Sequence, residues 1–371
     1  MILHLLTDEK FTDYAISQFS APELQSEFVL IPSNNAKWQV NQINKCTIIQ
    51  QRSKEFEALL NRLDQYTGTI FHGMFWRNWQ QPILEHVPKH VKVAWVFWGG
   101  DIYGRHEMGE RCLAPMTKML NKLHGRKDHT EEWKLQTEMP LELFKRVDYC
   151  LTSVDEEYQF VKEFLQSDIQ LLWYTYYSIE ETIGALKDCQ CEGNNVWIGN
   201  SSAIENNHVD VLWQLWKKAR RSLKDRHIII PLSYGNAWVR NMVKKVGRFL
   251  FGKQLRVLET FMPRDEYNKL MLSCSTFVSG HHQPAAQGKI ITALWLGMRV
   301  YMNDQNLTYQ FLKRIGATVF TIEKDFKTCG FKPLTAEERL HNRDVLSAWY
   351  SKAHMMEGVK EIAKELNSLK K

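Results

Sequence analysis

The sequence has little that would mark a secreted, disulfide-bonded or membrane-spanning protein. Its seven cysteines are irregularly spaced, and the one close pair, Cys189 and Cys191, lacks the two-residue spacing of a redox or zinc motif. Reduced thiols are the simplest interpretation. The longest strongly apolar runs, such as 93–98, fall far short of the roughly 20 residues that a membrane span needs. Residues 1–7 carry neither a basic leader nor a cleavage site, so they predict a first strand and not a signal peptide.

Several chemical motifs are also absent. The chain has no P-loop string, no complete dinucleotide fingerprint and no Asp-x-Asp pair at the end of a predicted strand. His281 and His282 are adjacent, and adjacent side chains on a strand point apart. We therefore expect chemistry that requires no metal and no other cofactor.

The charge of the chain is mildly positive, and this bounds its partners. The net charge is +6 over 371 residues, with a pI near 8.8. This is not the focused charge of a DNA-binding protein, so we expect no nucleic-acid partner. It suits anionic ligands or anionic lipid head groups.

The fold class follows from the alternation of predicted strands and helices along the chain. Apolar runs typical of strands alternate with helical patterns in both halves of the chain, which predicts an α/β fold of two doubly wound, Rossmann-like domains that face a cleft. We predict a first domain over 1–173 and a linker over 174–194. A second domain over 195–334 and a helical tail over 335–371, packing back toward the first domain, complete the chain.

The stretch 274–303 reads as strand, polar loop, helix and strand. Ligands of such sheets bind beyond the carboxyl ends of the strands, and a helix start favours phosphate. The loop and helix start are therefore predicted to bind the diphosphate and sugar of a nucleotide sugar. A polar surface loop without a ligand is the alternative. The predicted contacts are His281, His282, Gln283, Gln287, Gly288 and Lys289.

Polar residues follow other predicted strands of the second half. Asn200 and Ser201, with His208 at the next helix, could bind phosphate or sugar hydroxyls, whereas an ordinary helix cap is the alternative. Tyr234 and Phe261 are candidate contacts for a base, with a turn and simple packing as the alternatives.

In the first half, two strands end in glycine-containing loops. Asp101 is a candidate general base for an acceptor hydroxyl, and His72 is the second candidate. An Asx turn and a buried structural histidine are the alternatives. Gly99, Gly100 and Tyr103 complete a predicted acceptor-side loop.

A basic amphipathic pattern follows this loop. Lys118, Lys122, Arg126 and Lys127 flank apolar residues, and no acidic residue lies between positions 113 and 127. The pattern predicts contact with an anionic membrane surface; a solvated helix face is the alternative.

Taken in order, these motifs resemble a known family. They are Ile70-Phe-His-Gly73, Phe97-Trp-Gly-Gly-Asp-Ile-Tyr103, Ile198-Gly-Asn-Ser201 with Asn207-His208, Pro231 to Gly235, and Gln287-Gly288. Between about 69 and 304 the chain is similar to bacterial 4-acetamido-4,6-dideoxygalactose (N-acetylfucosamine) transferases of enterobacterial common antigen synthesis. It departs from that family at Gly100, where the family has alanine, and at Lys289, which adds a charge to the helix start.

The resemblance implies a GT-B glycosyltransferase that needs no metal. It would transfer the sugar from a dTDP-sugar, bound by the second domain, to a polyprenyl-diphosphate-linked saccharide, bound by the first. It also implies a cytoplasmic protein, peripheral on the inner face of the bacterial inner membrane. A nucleotide-sugar epimerase of the same plan, and a non-catalytic protein that binds membrane surfaces or polyanions, remain alternatives.

Overall fold

The computed structural model describes residues 1–9, 11–32, 38–75, 77–108, 110–124 and 138–368, without the side chain of Arg264. The strands are β1 (Ile2–Thr7), β2 (Ser26–Ile31), β3 (Thr47–Ile48), β4 (Gly68–His72), β5 (Lys92–Val96), β6 (Tyr149–Thr152), β7 (Gln170–Trp173), β8 (Asn195–Ile198), β9 (Ile228–Pro231), β10 (Leu255–Leu258), β11 (Cys274–Ser279), β12 (Arg299–Met302) and β13 (Phe320–Thr321).

The α-helices are α1 (Thr12–Phe19), α2 (Lys54–Leu60), α3 (Arg77–His86), α4 (Gly100–Tyr103), α5 (Pro115–Leu123), α6 (Asp155–Leu165), α7 (Ile179–Ile183), α8 (His208–Ala219), α9 (Ala237–Phe251), α10 (Arg264–Leu272), α11 (Gln287–Trp295), α12 (Leu307–Arg314), α13 (Ile322–Asp325), α14 (Ala336–Tyr350) and α15 (Lys352–Asn367). Short 3-10 helices cover Pro22–Leu24, Ile43–Lys45, Leu63–Gln65, His106–Met108, Leu141–Arg146, Gly184–Leu186, Ile204–Asn206, Arg220–Leu223 and Gly252–Gln254. None of the described helices is both long enough and apolar enough to span a membrane.

The first sheet has seven parallel strands in the order β3-β2-β1-β4-β5-β6-β7. The register pairs Ile2 with Ser26 on one side and with Gly68 on the other. Strand β1 is buried along its whole length, as a strand with helices on both faces of its sheet must be. The strand order reverses between β1 and β4, so the carboxyl ends of these two strands border the switch point.

The second sheet repeats the plan with six parallel strands, in the order β10-β9-β8-β11-β12-β13. Its switch point lies between β8 and β11, where Ile198 pairs with Val278. Strand β11 is buried along its whole length and β8 from its second residue on, and α8 and α9 cover one side of the core with Leu212, Leu215 and Val243.

The chain divides into two compact units. One contains the described residues within 1–107, 129–178 and 352–371, and the other those within 108–128 and 179–351. These boundaries differ from the predicted ones at three places. The predicted linker contains α7, whose Ile179 and Ile183 are buried. The helical tail is divided, with α14 in the second unit and α15 in the first.

The third difference concerns α5, which lies in the second unit instead of the predicted first domain. Asp210 on α8 accepts hydrogen bonds from the Met116 and Thr117 amides, at 2.9 and 2.8 Å, and from the Thr117 hydroxyl at 2.6 Å. A carboxylate at a helix start satisfies amides that would otherwise lack partners. Such a cap, supplied from more than 90 positions away, cannot be read from the residues around α5.

Candidate functional site

The loops that follow β8 and β11 lie together at the switch point of the second sheet. Their strands are hydrogen-bonded neighbours, and the loops span 199–207 and 280–286. Asn207 joins them, because its side-chain amide donates to the Gly280 carbonyl at 2.9 Å. A Cβ at Gly280 would lie 2.4 Å from the Asn206 carbonyl oxygen, so this approach requires glycine.

Asn306 holds the 280–286 loop from the other side. This asparagine is fully buried, and its side-chain amide donates to the carbonyls of His281 at 3.0 Å and Gln283 at 2.7 Å. Its oxygen accepts from the Thr308 amide and so caps α12. Asn306 was not among the predicted site residues. It could have been found as an asparagine between a predicted strand and a helix, the position of a helix cap.

Helix α11 begins directly after this loop, with a feature that is unusual for a helix start. Ala286 precedes it with φ of 58°, and the alanine side chain has no group that could cap the helix. Lys289 lies in its first turn, although the positive end of a helix dipole disfavours a cation. An anion bound at the helix start would remove this conflict.

An apolar cavity of about 330 Å³ opens beside the first turn of α11. It is lined by Asn200, Pro231, Ser233, Tyr234, Leu258, Thr260, Phe261, Met262, Tyr267 and Lys289. The Lys289 ammonium lies 4.0 Å from the centroid of the Tyr267 ring, a cation–π contact. Phe261 is 93% exposed at the cavity, and exposed aromatic side chains at a cavity are typical of binding sites. Tyr267 was not among the predicted site residues.

The predicted contacts Asn200 and Tyr234 line this cavity, and Ser201 interacts with Tyr234. Tyr234 and Ser202 are joined through their backbones, and the Ser202 hydroxyl donates to the Tyr234 carbonyl at 2.7 Å. The Tyr234 hydroxyl is hydrogen-bonded to the Ser201 side chain, while burial raises the pKa of this hydroxyl. Ser201 therefore positions a ring at the cavity in addition to any contact with a ligand.

The histidines of the two loops are neutral at physiological pH. Burial lowers the pKa of His208 to about 4 and that of His281 to about 3. His208 Nε2 donates to the Ser201 carbonyl at 2.8 Å, and His281 Nδ1 lies 3.1 Å from the Ser279 hydroxyl. Burial also lowers the pKa of His282, whose ring bonds to the Arg111 carbonyl. These side chains would bind a ligand by hydrogen bonds and not by charge.

Three buried polar atoms of these loops have no hydrogen-bond partner among the described residues. They are the side-chain oxygens of Asn200 and Gln283 and the Nδ1 atom of His208. A buried polar atom without a partner costs free energy, so native proteins rarely leave several in one region. These three atoms lie at the switch point of the second sheet, where a bound ligand would supply their partners.

The Gln287 side chain has a partner within the second unit. Its side-chain amide donates to the Tyr350 hydroxyl at 2.9 Å, which braces α11 against α14. The backbone of Gln287 and Gly288 still forms the helix start, so these two positions remain candidate contacts through their amides.

In the first unit, the two predicted catalytic side chains are enclosed. Asp101 is 3% exposed and accepts hydrogen bonds from the Trp95 indole at 2.7 Å and from the Met74 and Trp98 amides at 3.3 and 3.2 Å. Burial raises the pKa of Asp101 to about 7, although these hydrogen bonds oppose the shift. The carboxyl group thus connects the loops after β4 and β5, a positioning role.

His72, 2% exposed, belongs to a chain of hydrogen bonds. The Trp98 indole donates to the Tyr176 hydroxyl at 2.7 Å, and the same hydroxyl is hydrogen-bonded to His72 Nδ1 at 2.9 Å. His72 Nε2 lies 3.2 Å from His4 Nδ1, and His4 Nε2 lies 3.2 Å from the Ser26 hydroxyl. Burial lowers the pKa of His72 to about 3, so the ring is neutral.

The predicted acceptor-side loop forms the tight turn that opens α4. Gly99 has φ of 83°, where glycine is favoured, and a Cβ at Gly100 would lie 3.1 Å from the Phe75 ring. Tyr103 stacks on Phe160 with ring centroids 5.3 Å apart. These contacts explain the glycines as local packing, whether or not an acceptor binds there.

The predicted basic helix is only partly described. Lys118 and Lys122, on α5, lie 3.3 and 3.6 Å from the carboxylate of Glu110. Arg126 and Lys127 lie outside the described residues. The acidic partner precedes the stretch that sequence analysis considered, so the positive face of α5 is partly neutralised.

One cluster in the first unit has metal-ligand composition. Atoms of His106, Glu107 and Glu138 lie within 4.8 Å of one another. The Arg105 guanidinium, 2.9 Å from Glu107 and 3.9 Å from Glu138, already supplies positive charge to these carboxylates. The arrangement is explained as an ion-pair network.

No protein-family model matches the chain, and no curated protein matches it in sequence. Solved structures with the same fold include a glycosyltransferase from Rickettsia africae (TM-score 0.62, 13% identity, 98% of both chains covered). HepE from Anabaena, crystallised with UDP and glucose, has a TM-score of 0.59 at 10% identity, with 99% of both chains covered.

WaaG, a glycosyltransferase involved in lipopolysaccharide biosynthesis, has a TM-score of 0.54 at 9% identity, with 99% of this chain and 100% of WaaG covered. Against the GtfA/B complex, the chain spans only 61% of the length of the chain it matches. These likenesses confirm the predicted α/β fold class: the chain shares its fold with these solved glycosyltransferase structures.

Proposed function

We propose that this protein is a glycosyltransferase whose donor, a nucleotide sugar, binds at the carboxyl edge of the second sheet. One observation carries the proposal: α11 begins at the switch point, directly after Ala286, and its first turn contains Lys289. The helix dipole and the lysine together place positive charge where a diphosphate would be stabilised. The fold supports the proposal, since HepE shares it and was crystallised with UDP and glucose.

The residues around the helix start also suit the nucleobase and the sugar of the donor. The nucleobase would occupy the 330 Å³ cavity, where Tyr234, Phe261 and Tyr267 supply aromatic surface. The sugar would lie toward the 280–286 loop, where Gln283, His281 and His282 offer neutral hydrogen-bonding groups. The unpartnered oxygens of Asn200 and Gln283 would then gain donors from the ligand.

Within this proposal, the transferred group is a 4-acetamido-4,6-dideoxyhexose, the donor is a dTDP-sugar and the acceptor is a polyprenyl-diphosphate-linked saccharide. This finer part rests on the ordered motifs between about 69 and 304. WaaG, of the same fold, is involved in lipopolysaccharide biosynthesis. A lipid-linked acceptor would place the protein in the cytoplasm, peripheral on the inner face of the bacterial inner membrane.

The loop after β5 would face the acceptor, with Asp101 or His72 assisting deprotonation of its hydroxyl. Because both side chains are enclosed, we expect them to act first by holding Trp98 and Gly99 in place. The charge of α11 and Lys289 would neutralise the diphosphate, so we expect turnover to survive removal of divalent metal by a chelator.

Calorimetric titration with dTDP and with UDP tests the donor site. Lys289→Glu should weaken binding by about 100-fold, because a charged hydrogen-bonding partner is replaced by a charge that repels phosphate. Lys269→Glu, the same change at an exposed position of α10 in the same unit, is the matched control. Equal affinity of both variants and the unaltered protein would show that the diphosphate binds elsewhere.

A second measurement separates transfer from epimerisation. The enzyme is incubated with dTDP-sugar alone and with dTDP-sugar plus a polyprenyl-diphosphate-linked saccharide, and the products are identified. Transfer requires the acceptor. Conversion of the donor sugar without an acceptor would favour a nucleotide-sugar epimerase.

A further inference from the structure

The positive charge of the chain is concentrated in one stretch of the second unit. Residues 211–258 contain 12 lysines and arginines and one acidic residue, Asp225, a net charge of +11. The whole chain carries +6, so all the remaining residues together carry −5. Such a separation creates a strong local positive potential that the modest total conceals.

Much of this charge lies on one surface, where α8 and α9 end. The side-chain amide of Gln254 donates to the carbonyls of Lys224 at 3.0 Å and Arg226 at 3.1 Å, which joins the segments after the two helices. The exposed residues of this surface, called here the helix-end surface, are Arg220, Arg221, Lys224, Lys245, Arg248, Phe249 and Lys253.

The helix-end surface also contains an exposed aromatic side chain, Phe249. It is 88% exposed on α9, with Lys245 and Lys253 four residues before and after it in sequence. Along α9 the exposed positions 241, 245, 248 and 249 follow helical spacing, while Val243, Gly247 and Phe251 are buried. An exposed phenylalanine among cations on one helix face is the pattern of a helix that lies on a membrane interface.

Two acidic residues lie near this charge without cancelling it. Glu259 forms an ion pair with Lys244, on the flank of α9, and also attracts Arg240 and Arg248. Asp225 is exposed beside Lys224. The described ion pairs include none with Lys245, Lys253, Arg220 or Arg221.

We propose that the helix-end surface binds an anionic phospholipid bilayer, with the cations at the head groups and Phe249 inserted among them. The helices end at the amino edge of the second sheet, whereas the candidate donor loops lie at its carboxyl edge. A bound bilayer would therefore leave these loops uncovered. The proposal differs from the predicted membrane contact through α5, and it does not depend on the proposed transfer reaction.

Flotation of the full chain with lipid vesicles tests the proposal. The chain should float with vesicles of phosphatidylcholine and phosphatidylglycerol but not with vesicles of phosphatidylcholine alone, and binding should fall with added salt. Lys245→Glu with Lys253→Glu should lower the partition coefficient by at least about 25-fold, since each cation near an anionic surface contributes about fivefold. The matched control, Lys360→Glu with Lys364→Glu, makes the same charge change at exposed positions of α15.

The aromatic contribution has its own variant. Phe249→Ser should weaken vesicle binding by about tenfold through the loss of inserted apolar area, whereas Leu340→Ser, at an exposed position of α14, should not. Equal binding to both vesicle types, or an equal loss from the α15 control, would overturn the proposal. It would also fail if the charge variants lost affinity for single-stranded RNA while vesicle binding was unchanged, which would assign the surface to another polyanion.

Discussion

The two units place polar side chains at the same position of the same topology, yet they use them differently. In the first unit, Asp101 and His72 are buried and satisfied by protein donors and acceptors. In the second unit, Asn200, His208 and Gln283 keep buried atoms without a described partner, beside a helix start that carries Lys289. Asp101 and His72 thus hold loops in place, while the unpartnered atoms of Asn200, His208 and Gln283 are available to a ligand.

This comparison shows why a polar residue after a strand is weak evidence for catalysis. Asp101 satisfies every sequence criterion for a catalytic carboxylate, because it follows an apolar strand within a glycine-rich loop. Its three donors come from Trp95, Met74 and Trp98, and only the structure shows that they surround it. What distinguishes a binding group is an unsatisfied atom, and satisfaction is a tertiary property.

The largest expected effect tests whether Asp101 is structural. Asp101→Ala should lower the free energy of unfolding by about 3 kcal/mol, because it leaves the Trp95 indole and a backbone amide buried without an acceptor. Urea denaturation measures this change, with Asp265→Ala at an exposed position of α10 as control. Asp101→Asn retains one acceptor and should unfold much closer to the unaltered protein.

The same variants sharpen the functional question. If Asp101→Asn abolishes turnover while donor affinity and stability are kept, the carboxylate acts in the reaction and its enclosure is relieved when substrates bind. If Asp101→Ala is as stable as the control variant, the positioning role is wrong.

The sequence predicted the α/β fold class of both units, because buried parallel strands produce apolar runs in the sequence, each followed by a loop at the carboxyl end of the strand. The strand, polar loop, helix and strand predicted over 274–303 correspond to β11, the 280–286 loop, α11 and β12. The helix start at Gln287 was equally accessible, since a polar loop leads into helical spacing there. These features depend on neighbours along the chain.

The remaining features depend on neighbours in space. Asn306 supports the 280–286 loop from beyond the next strand, and Asp210 caps α5 from α8. Lys92, at the start of β5, donates to the Glu365 carbonyl at 2.6 Å and so fastens α15 to the first unit. A single sequence contains no signal that pairs such positions, so the domain boundaries around α5 and the tail differ from those predicted.

The pH dependence of the free energy of unfolding is a second test of whether Asp101 is a buried structural group. The expected change is smaller than that of Asp101→Ala. Burial raises the pKa of Asp101 from an ordinary value near 3.8 to about 7, so between these values the folded state binds a proton that the unfolded state releases. This stabilisation is complete below the unfolded pKa and is lost as pH rises through about 7.

The buried histidines also contribute to the pH dependence of stability, but they are the same in the unaltered protein and in Asp101→Asn. The difference in the free energy of unfolding between these two proteins therefore reports the contribution of Asp101 alone. It should shift in favour of the unaltered protein as pH falls from 7 to 5, by up to about 1.4 kcal/mol per pH unit. Unfolding by urea at several pH values measures it. A difference that stays constant over this range would mean that Asp101 is already ionised when folded, and would remove burial as its dominant influence.

The smallest expected effect concerns the hydrogen-bond chain that ends at Trp98. Tyr176→Phe removes the hydroxyl that accepts from the Trp98 indole and is hydrogen-bonded to His72, and should lower the free energy of unfolding by about 1 to 2 kcal/mol. Tyr14→Phe, at a half-buried tyrosine of α1, is the control. The same hydrogen bonds orient Trp98 beside Gly99. We therefore expect the variant to have a higher KM for the acceptor, with donor affinity unchanged. Loss of donor affinity instead would show that the first unit contributes to donor binding, and the division of roles between the two units would fail.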